Sequence, residues 1–504
     1  MQTTARPALA LGRRELRLSD LWPLLPPIMA FTGSALSSIP LSDFWWHLRF
    51  GQRIWTERWL GTVDDFSFTT PGVFAPTIQW LGDLYIFFCY SLGGIEMVLV
   101  GKAIALSLVA WLMYKTARLL GVGRLAGAAF PVIATYVCVL RNGDLRPQLL
   151  GYAMFALWYY WLVRIRVGRR APLWLIFPVA ILWANTNGTL IVGGALLAGT
   201  VVAEAFQARM AGRLGPTLPK RGLWAMGAAT ASLPIAMAIN PWGVDLYRYL
   251  SFYAFDATAR ARISEWRPPT TDSEWGTAFF AFLLVGVALL SLAPRRPTLT
   301  EMALFLVYAG LAIQSARNLV WFGIVAAPLM AAQAQSLATL WPKSDSAGET
   351  RWLNWTFAAV LLLLPIISLP WWRWAVPMPA DQRLLYDKAT PVQGIAYAAS
   401  HYAGERFFHP YSYGGYMIWG AYGKLKVFVD GRYNHYVPEV MDDYLAICDA
   451  DGWQDRLRKY TIRHVMIAKN YDPMKPLLRQ IRQSSDWRLE YEDDNTLLFV
   501  NYSP

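Results

Sequence analysis

The chain has 504 residues, of which 55% are hydrophobic and only 16% charged, with a net charge of +12 and a mean hydropathy of +0.28. These proportions exclude an ordinary soluble enzyme, and the repeated apolar runs of near membrane-crossing length indicate a multi-span membrane protein. Most Lys and Arg residues sit in short loops between those runs, where positive charge reports orientation rather than nucleic-acid binding.

In chain order the apolar stretches are 21–40, 95–114, 125–140, 149–163, 173–183, 189–206, 223–239, 277–292, 300–314, 319–332 and 352–370. They predict a helical membrane domain of about eleven spans, the fifth being short. Arg6, Arg13, Arg14 and Arg17 precede the first stretch without a small-residue cleavage pattern, so that stretch is expected to stay as an anchor. A further apolar segment, 78–92, is short, carries Asp83 and runs into Gly93 and Gly94. If it spans, the clusters at 115–124, 164–170, 209–221 and 295–296 fall outside, against the positive-inside bias; if it lies in the interface, they fall inside. The second choice predicts a cytoplasmic N-terminus over 1–20, a membrane domain over 21–370 with an outer loop at 41–77, and an outer-face domain over 371–504.

After Pro370 charged residues become frequent and the apolar runs shrink to strand length at 426–430, 464–468 and 496–500. Helical patterns at 392–402, 444–460 and 473–483 lie between them, which predicts a small α/β domain. Asp493 and Asp494 read as a hairpin turn before the last strand. Trp371, Trp372 and Trp374 mark the interface where the last span ends. Cys89, Cys138 and Cys448 have no CxxC spacing, so neither a disulfide framework nor a zinc site is encoded.

Polar residues gather in the loops of the predicted outer face. Taken as a helix, 43–55 puts Asp43, Trp46 or His47, and Phe50 on one side, with Arg49 in the same segment. The plainer alternative makes the tryptophans interfacial anchors and Asp43 an N-cap. Later outer turns hold Arg141, Asp144 and Arg146, then Asn185 and Asn187, then Glu265 and Arg267, and finally Arg317. Carboxylates of this kind, Asp43, Asp144 and Glu265, can hold a divalent cation such as Mg²⁺ or Mn²⁺, and the arginines can clamp a phosphate. In the C-terminal region Asp430-Gly431-Arg432 follows a strand pattern and reads either as a ligand contact or as a turn.

The segment Asp43-Phe-Trp-Trp-His47-Leu-Arg49, followed by Asp64-Asp65, resembles the first outer loop of the GT-C superfamily of membrane glycosyltransferases, and in particular that of the oligosaccharyltransferase catalytic subunit. Arg141–Asp144 is similar to that family's second acidic loop, and Tyr411–Trp419 to its Trp-Trp-Asp-Tyr-Gly segment. Tyr413 or Gly414 stands where the family carries the Asp that reads a sequon, which speaks against transfer to protein Asn. The patterns SDxWWHL, NPWG, EWxPP and GGYxIW…VFxDGR also resemble those of a group of bacterial multi-span membrane proteins. The resemblance implies sugar transfer from a polyprenyl-phosphate-linked donor to an envelope glycan, lipid or protein, at the outer face of a bacterial inner membrane. It implies Asp43 as general base or metal-linked carboxylate, Asp144 as a second ligand and His47 as base or ligand. The alternative is a polyprenyl-lipid-binding scaffold without turnover.

Overall fold

A computed structural model describes residues 16–41, 43–140, 145–210, 217–247, 264–340, 350–375, 377–432 and 436–502. Each predicted apolar stretch is helical over most of its length. Among the described residues, four helices are long and apolar enough to cross a bilayer unaided: Trp80–Leu119, Leu190–Arg209, Glu274–Leu292 and Ala316–Ala338. Shorter apolar helices, Arg124–Leu140, Leu173–Thr186, Leu299–Gln314 and Arg351–Ile367, stand beside them. The bundle is packed around Trp158, Trp183 and Trp321, all buried, with Phe155 and Tyr152 edge-on to Trp321. Its outside is the reverse of a soluble surface: Val202, Trp224, Leu284, Leu292 and Leu362 are exposed, as suits contact with lipid tails.

Segment 80–119 is two helices folded on each other. Gly93 and Gly94 leave helical geometry between them, Gly94 with a left-handed φ of 71° that glycine adopts at little cost. The Tyr85 hydroxyl donates to the Gly101 carbonyl at 3.0 Å, a contact that a straight helix would hold roughly 24 Å apart. The leg over 80–92 is thus a separate short helix, and at about 20 Å it is shorter than a hydrocarbon core.

The C-terminal region forms a four-stranded sheet in the order Phe407–Phe408, His464–Ala468, Thr496–Asn501, Trp487–Glu492, with the first pair parallel and the others antiparallel. The predicted strands 464–468 and 496–500 are present, and Asp493 makes the expected turn by accepting from the backbone N–H of Asn495 and Thr496. Two expectations need correction. The helix predicted over 444–460 is two helices, Pro438–Cys448 and Trp453–Lys459, because Ala450 and Gly452 between them take positive φ. Segment 426–430 is held by isolated bridges instead of a regular strand, Lys426 to Arg406 on one side and Val427 to Ser67 on the other. The second bridge comes from the 41–77 loop, which therefore lends an edge to the C-terminal sheet.

Candidate functional site where the first loop meets the C-terminal domain

The helix predicted over 43–55 is present as Phe44–Glu57 and is strongly two-faced, with Phe44, Trp45, Trp46, His47, Leu48 and Phe50 buried. What it packs on explains why those residues are aromatic. Trp45 meets Tyr416 edge-on, Phe50 stacks on Phe66, and the Arg49 guanidinium lies 4.7 Å from the Trp419 ring and 4.4 Å from that of Tyr422. Arg49 also donates to the Trp419 carbonyl at 2.5 Å and to Gln52. Its charge is thereby spent joining the loop to the domain.

Asp430 and Arg432 do the same work from the other side. Arg432 donates to Asp430 at 2.6 and 2.9 Å and to Asp64 of the loop at 2.7 Å, and Tyr436 donates to Asp430 at 2.7 Å. Asp430 is buried, which pushes its carboxyl up, but Arg432 and Tyr436 outweigh burial and hold it below the usual range. The turn this network fixes places Gly431 against Asp43, so closely that a Cβ at 431 would collide with Asp43 Oδ1.

Asp43 stands at the N-cap position, yet its side chain makes no capping bond. Its Oδ2 instead pairs with Arg146 at 3.2 Å. The same guanidinium reaches both oxygens of Glu265 at 2.6 Å, and Arg317 approaches Glu265 at 3.9 Å while lying over Trp266. Arg317 also donates to Gln148 at 3.2 Å. Four predicted residues from four distant stretches thus form one line, Asp43, Arg146, Glu265, Arg317. Burial raises the Asp43 carboxyl above its ordinary value despite Arg146, with Glu265 and Asp430 adding to the rise. For Glu265 burial acts upward too, but Arg317 and Arg146 prevail and lower it.

Next to this line His47 Nδ1 lies 2.5 Å from Asp83 Oδ1, both residues buried. Burial, and then the Arg146 charge, push the His47 imidazole well below its ordinary range. The predicted amides support rather than line the site. Asn185 accepts from the Trp80 indole and donates to the Ile181 and Ile239 carbonyls. Asn187 donates to the Pro147 carbonyl, directly beside Arg146. Trp46 is buried against His47, ring centroids 3.5 Å apart. The Arg267 side chain is exposed, and its carbonyl accepts from Ala316. Arg141 and Asp144 lie outside the described residues; the helix that leads to them ends in a π-helical turn, Thr135–Leu140.

For a divalent cation the described carboxylates are Asp43 and Glu265, and Arg146 already sits between them. Among the described residues no three His, Cys, Asp or Glu side chains converge. The donor set at this point fits a guanidinium better than a metal ion.

No protein-family model matches the sequence, and no curated protein matches it. Solved structures do match. An oligosaccharyltransferase from Archaeoglobus fulgidus, tethered to an acceptor peptide containing the NVT sequon, aligns with a TM-score of 0.52 at 12% identity over 96% of this chain and 74% of its own. ArnT from Cupriavidus metallidurans, bound to undecaprenyl phosphate, aligns with a TM-score of 0.51 at 11% identity over 96% of this chain and 98% of its own. The chain shares its fold with these two structures, both GT-C glycosyltransferases. Within the GT-C fold, the two residues that sequence reading missed are Asp83 and Gln148. Asp83 had a signal, a lone carboxylate in an apolar segment; Gln148, at the start of helix Gln148–Arg166, had none.

Proposed function

We propose that the protein is a membrane glycosyltransferase that takes a sugar from a polyprenyl-phosphate-linked donor at the outer face of a bacterial inner membrane. In this reading the N-terminus is cytoplasmic and the C-terminal domain periplasmic, because the basic loops then lie inside. The observation that carries the proposal is the Asp43–Arg146–Glu265–Arg317 line, set where a membrane-domain loop meets the C-terminal domain. A sugar transfer needs a base at the acceptor and positive charge at the leaving phosphate. Asp43, with its carboxyl raised by burial, accepts the proton of the acceptor group as that group's heteroatom bonds to the anomeric carbon. The carbon–oxygen bond to phosphate breaks, and the phosphate leaves with the electron pair toward Arg146 and Arg317. His47, held by Asp83, borders the same space.

The test is release of polyprenyl phosphate from a polyprenyl-linked sugar fraction, followed by mass spectrometry, with the wild type and with Asp43→Asn. Release by the wild type and at least a 100-fold slower release by the variant are expected. Binding of the lipid with no release by either protein would favour the scaffold reading instead.

A further inference from the structure

The Arg146 guanidinium stands between the carboxylates of Asp43 and Glu265. Asp43 Oδ2 faces Arg146 at 3.2 Å, and Oδ1 lies against Gly431, where even a methyl group would not fit. Glu265 is engaged on both oxygens by Arg146, with Arg317 behind. A divalent cation binds by filling open oxygen lone pairs. Here it would have to displace one guanidinium and then stand next to another of like charge. The four side chains carry two negative and two positive charges, so an arriving phosphate finds its countercharge in arginine.

We propose that Arg146, backed by Arg317, fills the place of the divalent cation that the fold family implies, so that a polyprenyl-phosphate headgroup is held without metal. This rests on the polyprenyl-phosphate reading above. It assigns Arg146 a double task, neutralising Asp43 and Glu265 before the lipid arrives and the phosphate afterwards. It also explains why the carboxylates are reached by the planar fork of arginine, which can serve two partners from fixed positions.

The experiment uses the full-length protein in detergent, with Mn²⁺ as the metal probe, read by electron paramagnetic resonance, and undecaprenyl phosphate as the lipid probe. The wild type is expected to bind no stoichiometric Mn²⁺, and its affinity for undecaprenyl phosphate to agree within twofold between EDTA and Mn²⁺. Arg146→Gln opens the two carboxylates. It should lose at least tenfold in lipid affinity in EDTA and gain one Mn²⁺, which Asp43→Asn added to it removes. Arg146→Lys keeps the charge, so it should bind no Mn²⁺ and lose less affinity; it carries the test if Arg146→Gln fails to fold. One Mn²⁺ per wild-type chain that Asp43→Asn removes, or a tenfold tightening of lipid binding by Mn²⁺, overturns the proposal. If no form binds undecaprenyl phosphate, the polyprenyl reading fails, while the Mn²⁺ titrations still decide whether a guanidinium replaces the metal.

Discussion

The two ends of helix Gln148–Arg166 each carry a cluster of arginine and glutamate, and the two clusters are built differently. At its C-terminal end Arg166 donates to Glu204 and to Thr298 at 2.7 Å, Thr300 donates to Glu204 at 2.8 Å, and the Leu218 N–H caps the other Glu204 oxygen at 3.1 Å. Thr298 and Glu301 close a reciprocal capping box, with Arg295 on Glu301. Those carboxylates are 1% and 3% exposed, and their contacts pin loops to helix ends. At the N-terminal end, roughly 27 Å away, Arg146 and Arg317 bear on Glu265, whose side chain is 30% exposed. Asp43 there forgoes its cap to face a cation. Similar residue types thus act as a lock where the carboxylates are buried and each oxygen has its donor within the protein, and as a site where charge is left within reach of a ligand.

The largest effect should come from breaking the lock. Glu204→Ala leaves Arg166, Thr300 and the Leu218 N–H without their shared acceptor, and removing one partner of a buried pair costs about 3–5 kcal/mol. Unfolding in detergent should show that loss, while lipid binding by the folded fraction stays at the wild-type value.

A second way to separate the ends is acid. His409 is buried with Nδ1 donating to the Pro410 carbonyl and Nε2 accepting from the Phe428 N–H, two residues from Asp430. Burial lowers its pKa to about 4, against about 6.5 in an unfolded chain. Above about 6.5 neither state takes the proton, and the contribution is complete. As the pH falls toward 4 only the unfolded chain is protonated, so about 3 kcal/mol is lost across that window. The protection factor of the Phe428 amide, which corrects for the intrinsic exchange rate at each pH, should fall between pH 6.5 and 4, with His409→Gln flattening the dependence and the Arg166 cluster unmoved.

Gly431→Ala should cost less, about 1–3 kcal/mol as an overpacked contact, because the added methyl must push Asp43 away from the 430–432 turn. The measurement that matters is its companion: lipid binding should fall with it, whereas Gly310→Ala, inside helix Leu299–Gln314 with nothing near its Cβ, should leave binding alone.

How much of this was legible beforehand follows from the range of each signal. Hydropathy is local, so the helical stretches were readable, as were the strands 464–468 and 496–500 and the helix beginning after Asp43. The separation of 78–92 from the span that follows was readable as well, because Gly93 and Gly94 mark the break between them. Asp43, Arg146 and Glu265 were each singled out, but not their pairing: Glu265 lies 119 residues from Arg146. Nothing in the composition of 41–77 announced that Ser67 would pair with Val427, or that Arg49, Asp430 and Arg432 would join two distant segments. A charged residue in an outer loop signals that a partner exists and leaves open whether the partner is a ligand or the protein.

That distinction gives the smallest stability effect and the sharpest comparison. Asp43→Asn keeps the shape of the side chain and an oxygen that can accept from Arg146, and it removes a half-buried charge whose carboxyl is already raised. Stability should therefore change by less than about 1 kcal/mol, as for a pair whose Coulomb gain and desolvation cost nearly cancel. Glu204→Gln, the equivalent change at the other end, replaces one of two oxygens that both accept bonds with a donor, and should cost about 1–3 kcal/mol for the acceptor lost. Unfolding of the two variants side by side, with sugar release measured on each, gives opposite rankings if the N-terminal cluster is a site and the C-terminal one a lock. Equal losses of stability would mean that Asp43 is one more joint and that the base must be sought at His47 and Asp83.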